Sequence, residues 1–586
     1  MSGLGLVFSI ARDALAAQQN GIDVTAHNVA NVDTPGYCRQ RAVHEAKEPA
    51  PYGGLMFGRG VDTAQVLRIS DQFIENRLMR QNSNMLSYKE MENYMQVLEG
   101  VFSEDSETSV SSLMADFWNL WHDVANNPSG TSERIALYEH SISVAQQFKS
   151  LSRDFGDIET DLTQAVSSGI NRINEITAEI ADVNAEVVRS ESGAIANDMR
   201  DKRNALVSEL AGYIDVKTFE QSNGSLSIIT ARGCVLVQGN ESYDLDLGGD
   251  NGDRVQWSGS GGSAVDITNY INTGKLGGWL DMRDEIAAKY KSDLDALARE
   301  LIWTVNQQHS LGVGLEAFSS VKGSYAVSDS SKELGSEDCG LEYYDKLSNG
   351  TFNLWVYDSG GNVVNGVPTS ITIDADTGGT TLTSLAAQID AIDDISASVT
   401  SDGKLRIDAD SGYTFAFSDD TSNVLAAIGI NTFFTGVGAG TIGLSDVITS
   451  DKNYISAAQI HSDGSIAAGD NKNALAIADL QYKLVDIAQW TCDRRNGNTQ
   501  GCIRTTIEDY YHALVGSMGI TSASVSRGRS FNEGMVNKLR ELRDRISAVS
   551  LDEEMTNLIK YQHAYAAAAK LITASDEMLE TLLETK

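Results

Sequence analysis

Apolar residues return in alternating steps of four and three at both ends of this chain. That pattern constrains the fold more than any other feature. The first series runs Leu4, Phe8, Ala11, Leu15, Gln18, Ile22, Thr25, Val29. The last runs Leu551, Met555, Leu558, Gln562, Tyr565, Ala569, Ile572, Asp576, Leu579, Leu583. Such spacing lays a single stripe along a helix. Ser550, with Glu553 three residues on, predicts a capping box at the start of the second helix. Neither end carries a compact domain of its own. A one-stripe helix is marginal alone and must bury its stripe against something. The two terminal helices are therefore expected to pair with each other or with copies. Leu4, Phe8, Leu15, Ile22, Val29, Leu551, Met555, Leu558, Tyr565, Ile572 and Leu579 are the candidate assembly residues.

Further helical stripes lie inward of these. Residues 73–102 are proline-free, and Ile173, Ile176, Ile180, Val183 and Val187 repeat the spacing. Ala287, Tyr290, Leu294, Leu297, Leu301 and Thr304 do so again, as do Met535, Leu539, Leu542, Ile546 and Val549. The chain has only 5 prolines, which is compatible with long helices. Two stretches break the pattern. Residues 213–275 predict β structure, with a turn at Gly233. Residues 320–455, rich in Gly, Ser, Thr and Asp, predict a second β region with a hairpin after Phe352, Leu354 and Val356, turning at Gly360–Asn362. Within it "IDADTG" at 373–378 returns as "IDADSG" at 407–412.

At 586 residues the chain exceeds one core, so three or four domains are expected. The expected fold is multi-domain α+β: long terminal and inner helices form a coiled-coil or helical-bundle core, and β-rich outer domains are inserted into it. Residues 1–65 and 550–586 form the terminal helical assembly domain. Residues 66–212, 276–319 and 456–549 form a rod-like helical core, 213–275 a β-rich domain, and 320–455 a variable β-rich outer insertion.

The net charge of −36 leaves no basic stripe for nucleic acid and opposes binding to an anionic membrane. No apolar run reaches the ~20 residues of a membrane helix. The N-terminus lacks a basic region, and Arg12 and Asp13 interrupt its apolar stretch, so no cleaved signal is expected. The 5 cysteines include no C-x-x-C pair. Cys492 and Cys502 bracket a polar loop and are the candidate disulfide. No two histidines stand at metal-ligand spacing. Asp374/Asp376, Asp408/Asp410 and the run 244–253 suit turns better than calcium. Glycines 436–443 lack a phosphate-loop ending and suggest a hinge. No catalytic constellation and no cofactor site emerge, so an enzyme is not expected.

One stretch is dense in turn signals: "HNVANVDTPGYCRQ", residues 27–40. Asn28 and Asn31 tolerate left-handed backbone, Pro35 fixes φ, and Gly36 permits positive φ. With Tyr37 and Arg39 it completes "ALAAQQNGIDVTAHNVANVDTPGYCRQRA", which resembles the N-terminal signature of bacterial flagellar axial proteins, the rod, hook and hook-associated subunits. "SLDEEMTNLIKYQHAYAAAAKLITASDEMLETLL" (550–583) looks like the C-terminal helix of the same group. Within the group "GYCRQ", "NDMRDKRNALVSELAGYIDV" (197–216) and "SLDEEMTNL" are similar to hook-associated subunits. Cys38 departs from the Ser or Thr usual there.

The resemblance implies a structural role. Terminal helices disordered in the free subunit would pair on assembly, and the break at 31–37 would carry the chain out of the inner tube. Copies would form a ring at the distal end of the hook, between the hook protein and a second junction hook-associated protein. The subunit would leave through the type III export apparatus uncleaved and act outside the cell. An export chaperone would mask residues 551–583. The alternatives are a hook or distal-rod protein of the same group, or an adhesin-like surface domain on this scaffold.

Overall fold

The computed structural model describes residues 2–52, 55–102, 109–190, 195–249, 252–259, 262–376 and 378–585. Its main helices are α1 (Ser2–Ala30), α2 (Gln72–Val101), α3 (Val110–Asn126), α4 (Thr131–Ser190) and α5 (Asn197–Tyr213), then α6 (Ala288–His309), α7 (Ile507–Ser547) and α8 (Leu551–Glu584). Two pairs of strands lie beside these helices. The first is β1 (Gln40–Ala46) with β2 (Val61–Arg68), the second β3 (Val485–Thr491) with β4 (Thr499–Thr505). The fold is multi-domain α+β, with long helices and several small antiparallel sheets.

The chain divides into two compact units. One comprises Met1–Asn93, Asp161–Met282 and Ala523–Lys586, the other Tyr94–Thr160 and Arg283–Ser522. In the first, α1 and α8 lie against each other, and the antiparallel pair β1–β2 runs along α1. The α1 stripe that is buried is Ala11, Ala17, Gly21, Thr25 and Asn28. On α8 it is Glu554, Ala568 and Ser575, with Tyr561 half-buried between them. Small side chains line this contact because they let two backbones approach. A Cβ on Gly21 would come 2.8 Å from Cε1 of Tyr561.

On α1 the predicted stripe meets the packing line at Ala11 and Thr25, while its bulky members lie beside that line, as does the whole predicted stripe of α8. Leu4, Leu15, Ile22, Val29, Leu558, Ile572 and Leu579 are half-buried. Phe8, Leu551, Met555 and Tyr565 stay exposed. The predicted capping box is also absent. Ser550 makes no side-chain cap, and the Glu553 carboxylate binds Arg39 instead of reaching back.

The core of this unit lies under α4. Ile173, Ile176, Ile180, Val183 and Val187 pack with Leu206 and Leu210 of α5 and with the strands of 216–266. These strands form a four-stranded sheet (216–242) and a three-stranded one (245–266). Gly233 makes the turn at φ +94°. Asp250 and Asn251, part of the acidic run weighed for calcium, lie outside the described residues, as does Thr377 of "IDADTG".

In the second unit, Gly350–Tyr357 lies between Thr369–Ile373 and Thr414–Ser418. Leu405–Ala409 lies between Ser320–Lys322 and Ile395–Val399. Glycines 436–443 form no loose hinge. Phe434–Thr435 pairs with Gly443–Leu444, and Asp295 of α6 accepts the Ala439 N–H at 2.9 Å. Asp408 is bound to Arg406 at 2.8 Å and to Ser320 at 2.6 Å, and Asp374 accepts the Asp376 N–H within its own turn. Among the described residues no group of three or more His, Cys, Asp or Glu could hold a metal ion.

Residues 485–505, expected as part of the helical core, are instead the hairpin β3–β4. It is tied to α6 by the Trp490 N–H donating to Asp293 at 2.7 Å. This hairpin overturns the Cys492–Cys502 disulfide. Cys502 stands opposite Ala488 in the ladder, and Cys492 lies four positions beyond. At ~3.3 Å per residue that separates them by roughly 13 Å, beyond disulfide reach. Cys492 is buried and Cys502 exposed, and both are free thiols.

Candidate functional site

The helix break after Ala30 and the first residues of α8 and α5 meet in one polar cluster within the first unit. Asn31 ends α1. Its amide donates to the His27 carbonyl at 3.0 Å and its oxygen accepts from the Thr34 hydroxyl at 3.1 Å. Exposed Pro35 and Gly36 turn the chain, Gly36 at φ +82°. A Cβ there would meet only Ala205 at 3.7 Å, so backbone conformation, not space, demands the glycine.

Asn28 is 1% exposed and uses its whole side chain. Its oxygen accepts from Tyr37 Oη at 2.8 Å and from the Gln40 N–H at 2.9 Å. Its nitrogen donates to the Gln40 carbonyl at 2.9 Å and to Glu554 Oε2 at 3.1 Å. One side chain thereby joins α1, the turn, β1 and α8. Arg39 completes the link. Its Nε donates to Glu554 Oε1 at 2.7 Å, its Nη1 to Glu553 Oε2 at 2.8 Å, and its backbone N–H to the Ser547 carbonyl at the end of α7.

The start of α5 closes the cluster from another side. Asp198 accepts from Gln40 Nε2 at 2.9 Å and meets His27 at 3.3 Å. Asn197 donates to the Val66 carbonyl of β2 at 2.9 Å. Asp201 pairs with Arg68 at 2.5 Å and accepts the Cys38 N–H at 3.2 Å.

Burial and charge tune these groups. Burial raises the Tyr37 phenol far above its usual range, helped by Asp198, Asp201 and Glu554, so it stays a donor. Burial also pushes the Cys38 thiol up, away from the thiolate a reactive cysteine needs. Burial raises Asp201 against the pull of Arg68. The hydrogen bond from Arg39 lowers Glu553 and raises Arg39.

The cluster's thiol, Cys38, is buried with its pKa raised, so the cluster offers no ready nucleophile. Its chemistry is that of a fastener: four chain segments held by charge-assisted hydrogen bonds around a filled asparagine. The structure gathers Asn28, Asn31, Tyr37 and Arg39 here. Phe8, Leu551, Met555 and Tyr565 lie outside the cluster, exposed. Cys492 and Cys502 belong to the other unit. Arg68 is a site residue that no motif or spacing pointed to. His27, Asp198, Asp201 and Glu554 lay inside stretches singled out by resemblance, without assigned roles, and the spacing assigned Glu553 only to a capping box. Among the described residues no helix is long and apolar enough to cross a membrane.

Comparison with known proteins bears on the same segments. Residues 8–37 match the family described as "Flagella basal body rod protein", and residues 544–585 "Flagellar basal body rod FlgEFG protein C-terminal". Residues 95–320 match "Flagellar hook-associated protein FlgK helical domain". The three matched segments supply Asn28, Glu554 and Asp198 to one cluster. Flagellar hook-associated protein 1 of Bacillus subtilis is 26% identical, over 98% of this chain and 96% of that protein. Its Escherichia coli counterpart is 24% identical over 98% and 99%. The structure of the flagellar hook junction protein FlgK from Burkholderia pseudomallei superposes with a TM-score of 0.52 at 15% identity, covering 81% of this chain and all of that one. This last likeness concerns the fold. The resemblance to flagellar axial proteins seen in the sequence is thus met by relatives along nearly the whole chain.

Proposed function

We propose that this chain, matched end to end by flagellar hook-associated proteins, is a structural subunit of the bacterial flagellum that joins hook to filament. The carrying observation is the convergence of the three family-matched segments on the Asn28–Arg39–Glu554 cluster, where they fasten the two terminal helices to the body of the first unit. Its work is mechanical. Copies pack as a ring at the distal end of the hook, with the hook protein on one side and a second junction hook-associated protein on the other.

The exposed apolar residues of α8 support this reading. Leu551, Met555, Ile559, Leu571, Met578 and Leu583 are exposed in the single chain and suit contacts between copies. Before assembly the same surface is what an export chaperone masks, on the route through the type III apparatus to the flagellum outside the cell.

The test is genetic and microscopic. Cells lacking the chain should build hooks without attached filaments. Gold-labelled antibody to residues 320–455 should mark the hook–filament boundary of complemented cells. Label along the filament or at the rod would overturn the assignment.

A further inference from the structure

The second half of α7 differs in charge from the rest of the molecule. The chain carries 45 basic and 81 acidic residues, whereas residues 527–545 carry six basic and three acidic. Val525, Asn532, Val536, Leu539 and Ser547 face inward. At 100° per residue this turns Arg527, Lys538 and Arg545 to the opposite side and Phe531 and Leu542 to the flank beside them, and all five are exposed. Phe531 is 66% exposed. Lys538 meets only Glu541 of its own helix, at 3.2 Å. Arg527 and Arg545 have no carboxylate partner among the described residues. A solvated helix face has no use for an exposed phenylalanine one turn from an unpaired arginine, but a docking face does.

The complement lies on α4 in the same unit. Glu179, Asp182 and Glu186 recur at helical spacing and are exposed. Asp182 and Glu186 have no basic partner among the described residues. Beside them Ala178 and Ala185 are small enough to admit a large side chain.

We propose that the Arg527–Arg545 face of α7 docks on the Glu179–Glu186 face of α4 in a second copy of this chain. Opposite charge and apolar-to-small fit select that occupant. The two patches differ, so the contact is head-to-tail. Such contacts propagate into rings or tubes instead of closing a dimer, as the proposed junction requires; the inference rests on that reading.

The test uses full-length chain in flagellated cells, in a Cys502→Ser background. Lys538→Cys combined with Asp182→Cys, treated with the azo oxidant diamide, should give a ladder of multimers. Each disulfide forms as two thiols pass two electrons and two protons to the azo bond. Either cysteine alone should give none. Lys538→Glu with Arg545→Glu should cut incorporation at hook tips by roughly tenfold, and Asp182→Lys with Glu186→Lys should restore it. Circular dichroism of each purified variant checks its folding. Normal junctions with no ladder, or full incorporation of the charge-reversed chain, would overturn the contact while leaving the junction role intact. Absence of the unaltered chain from junctions would overturn both.

Discussion

Arg39 holds Glu554 at 2.7 Å across 515 residues of chain. Glu554 is 2% exposed, and its second oxygen receives Asn28. A buried carboxylate is tolerable only while such donors remain. The pair therefore ties α8 to the segment that follows α1.

Removing the guanidinium tests this. Arg39→Met should destabilise the first unit by about 3–5 kcal/mol, the usual loss when a buried charge is left alone. Arg39→Met with Glu554→Leu should recover most of it. Hydrogen exchange along α8 and urea unfolding measure both. A single-variant loss under about 1 kcal/mol would show that the pair fastens nothing.

The α1–α8 contact depends on Gly21 leaving room for the Tyr561 ring. Gly21→Leu should cost about 1–3 kcal/mol through overpacking and raise exchange along α8. Tyr561→Ala in the same chain should relieve the clash. If Gly21→Leu melts at the parental temperature, the close approach is not limiting.

His309, fully buried in the second unit, should make stability fall in acid. Its Nδ1 donates to the Asn431 carbonyl at 2.8 Å and its Nε2 accepts the Ser456 N–H at 3.0 Å. The ring is held neutral, and burial lowers its pKa from 6.5 to about 4. Between those values the unfolded chain takes up a proton that the folded chain refuses. Stability contributed by this group is whole above about pH 6.5 and is lost as pH falls toward 4, by roughly 3 kcal/mol in all. Urea midpoints at about pH 7 and about pH 4.5 should differ by more in the parent than in His309→Gln. Equal midpoint differences would contradict the assignment.

The cysteines should react in the order of their exposure. A thiol reagent under native conditions should modify Cys502 first, with buried Cys38 and Cys492 reacting only on unfolding. Reductant should leave the melting temperature unchanged. A Cys492–Cys502 disulfide found by mass spectrometry would refute the register of β3 against β4.

The same hairpin shows why some elements escaped the sequence. "VDIAQWT" is a short alternating run between strongly helical stretches, and one strand of seven residues carries less pattern than a helix of 41. On α8 the error was one of rotation, by one residue, whereas on α1 Ala11 and Thr25 lay on the packing line. The four-and-three spacing located α1 and α8 but tracked the bulky apolar residues. The tightest packing line belongs to Gly21, Ala568 and Ser575, because small residues permit the closest approach, and hydrophobicity does not rank them.

Local chemistry written in the chain was enough to determine where the long helices run and where α1 must stop. It also placed the family motif at residues 27–40. Spacing, proline and positive φ act within a few residues and need no partner. Only the tertiary structure decided that Asn28, Arg39, Asp198 and Glu554 share one site, and which side of each terminal helix stays open. Those contacts join segments hundreds of residues apart, and hydrogen-bond geometry exists only once the backbones have been brought together.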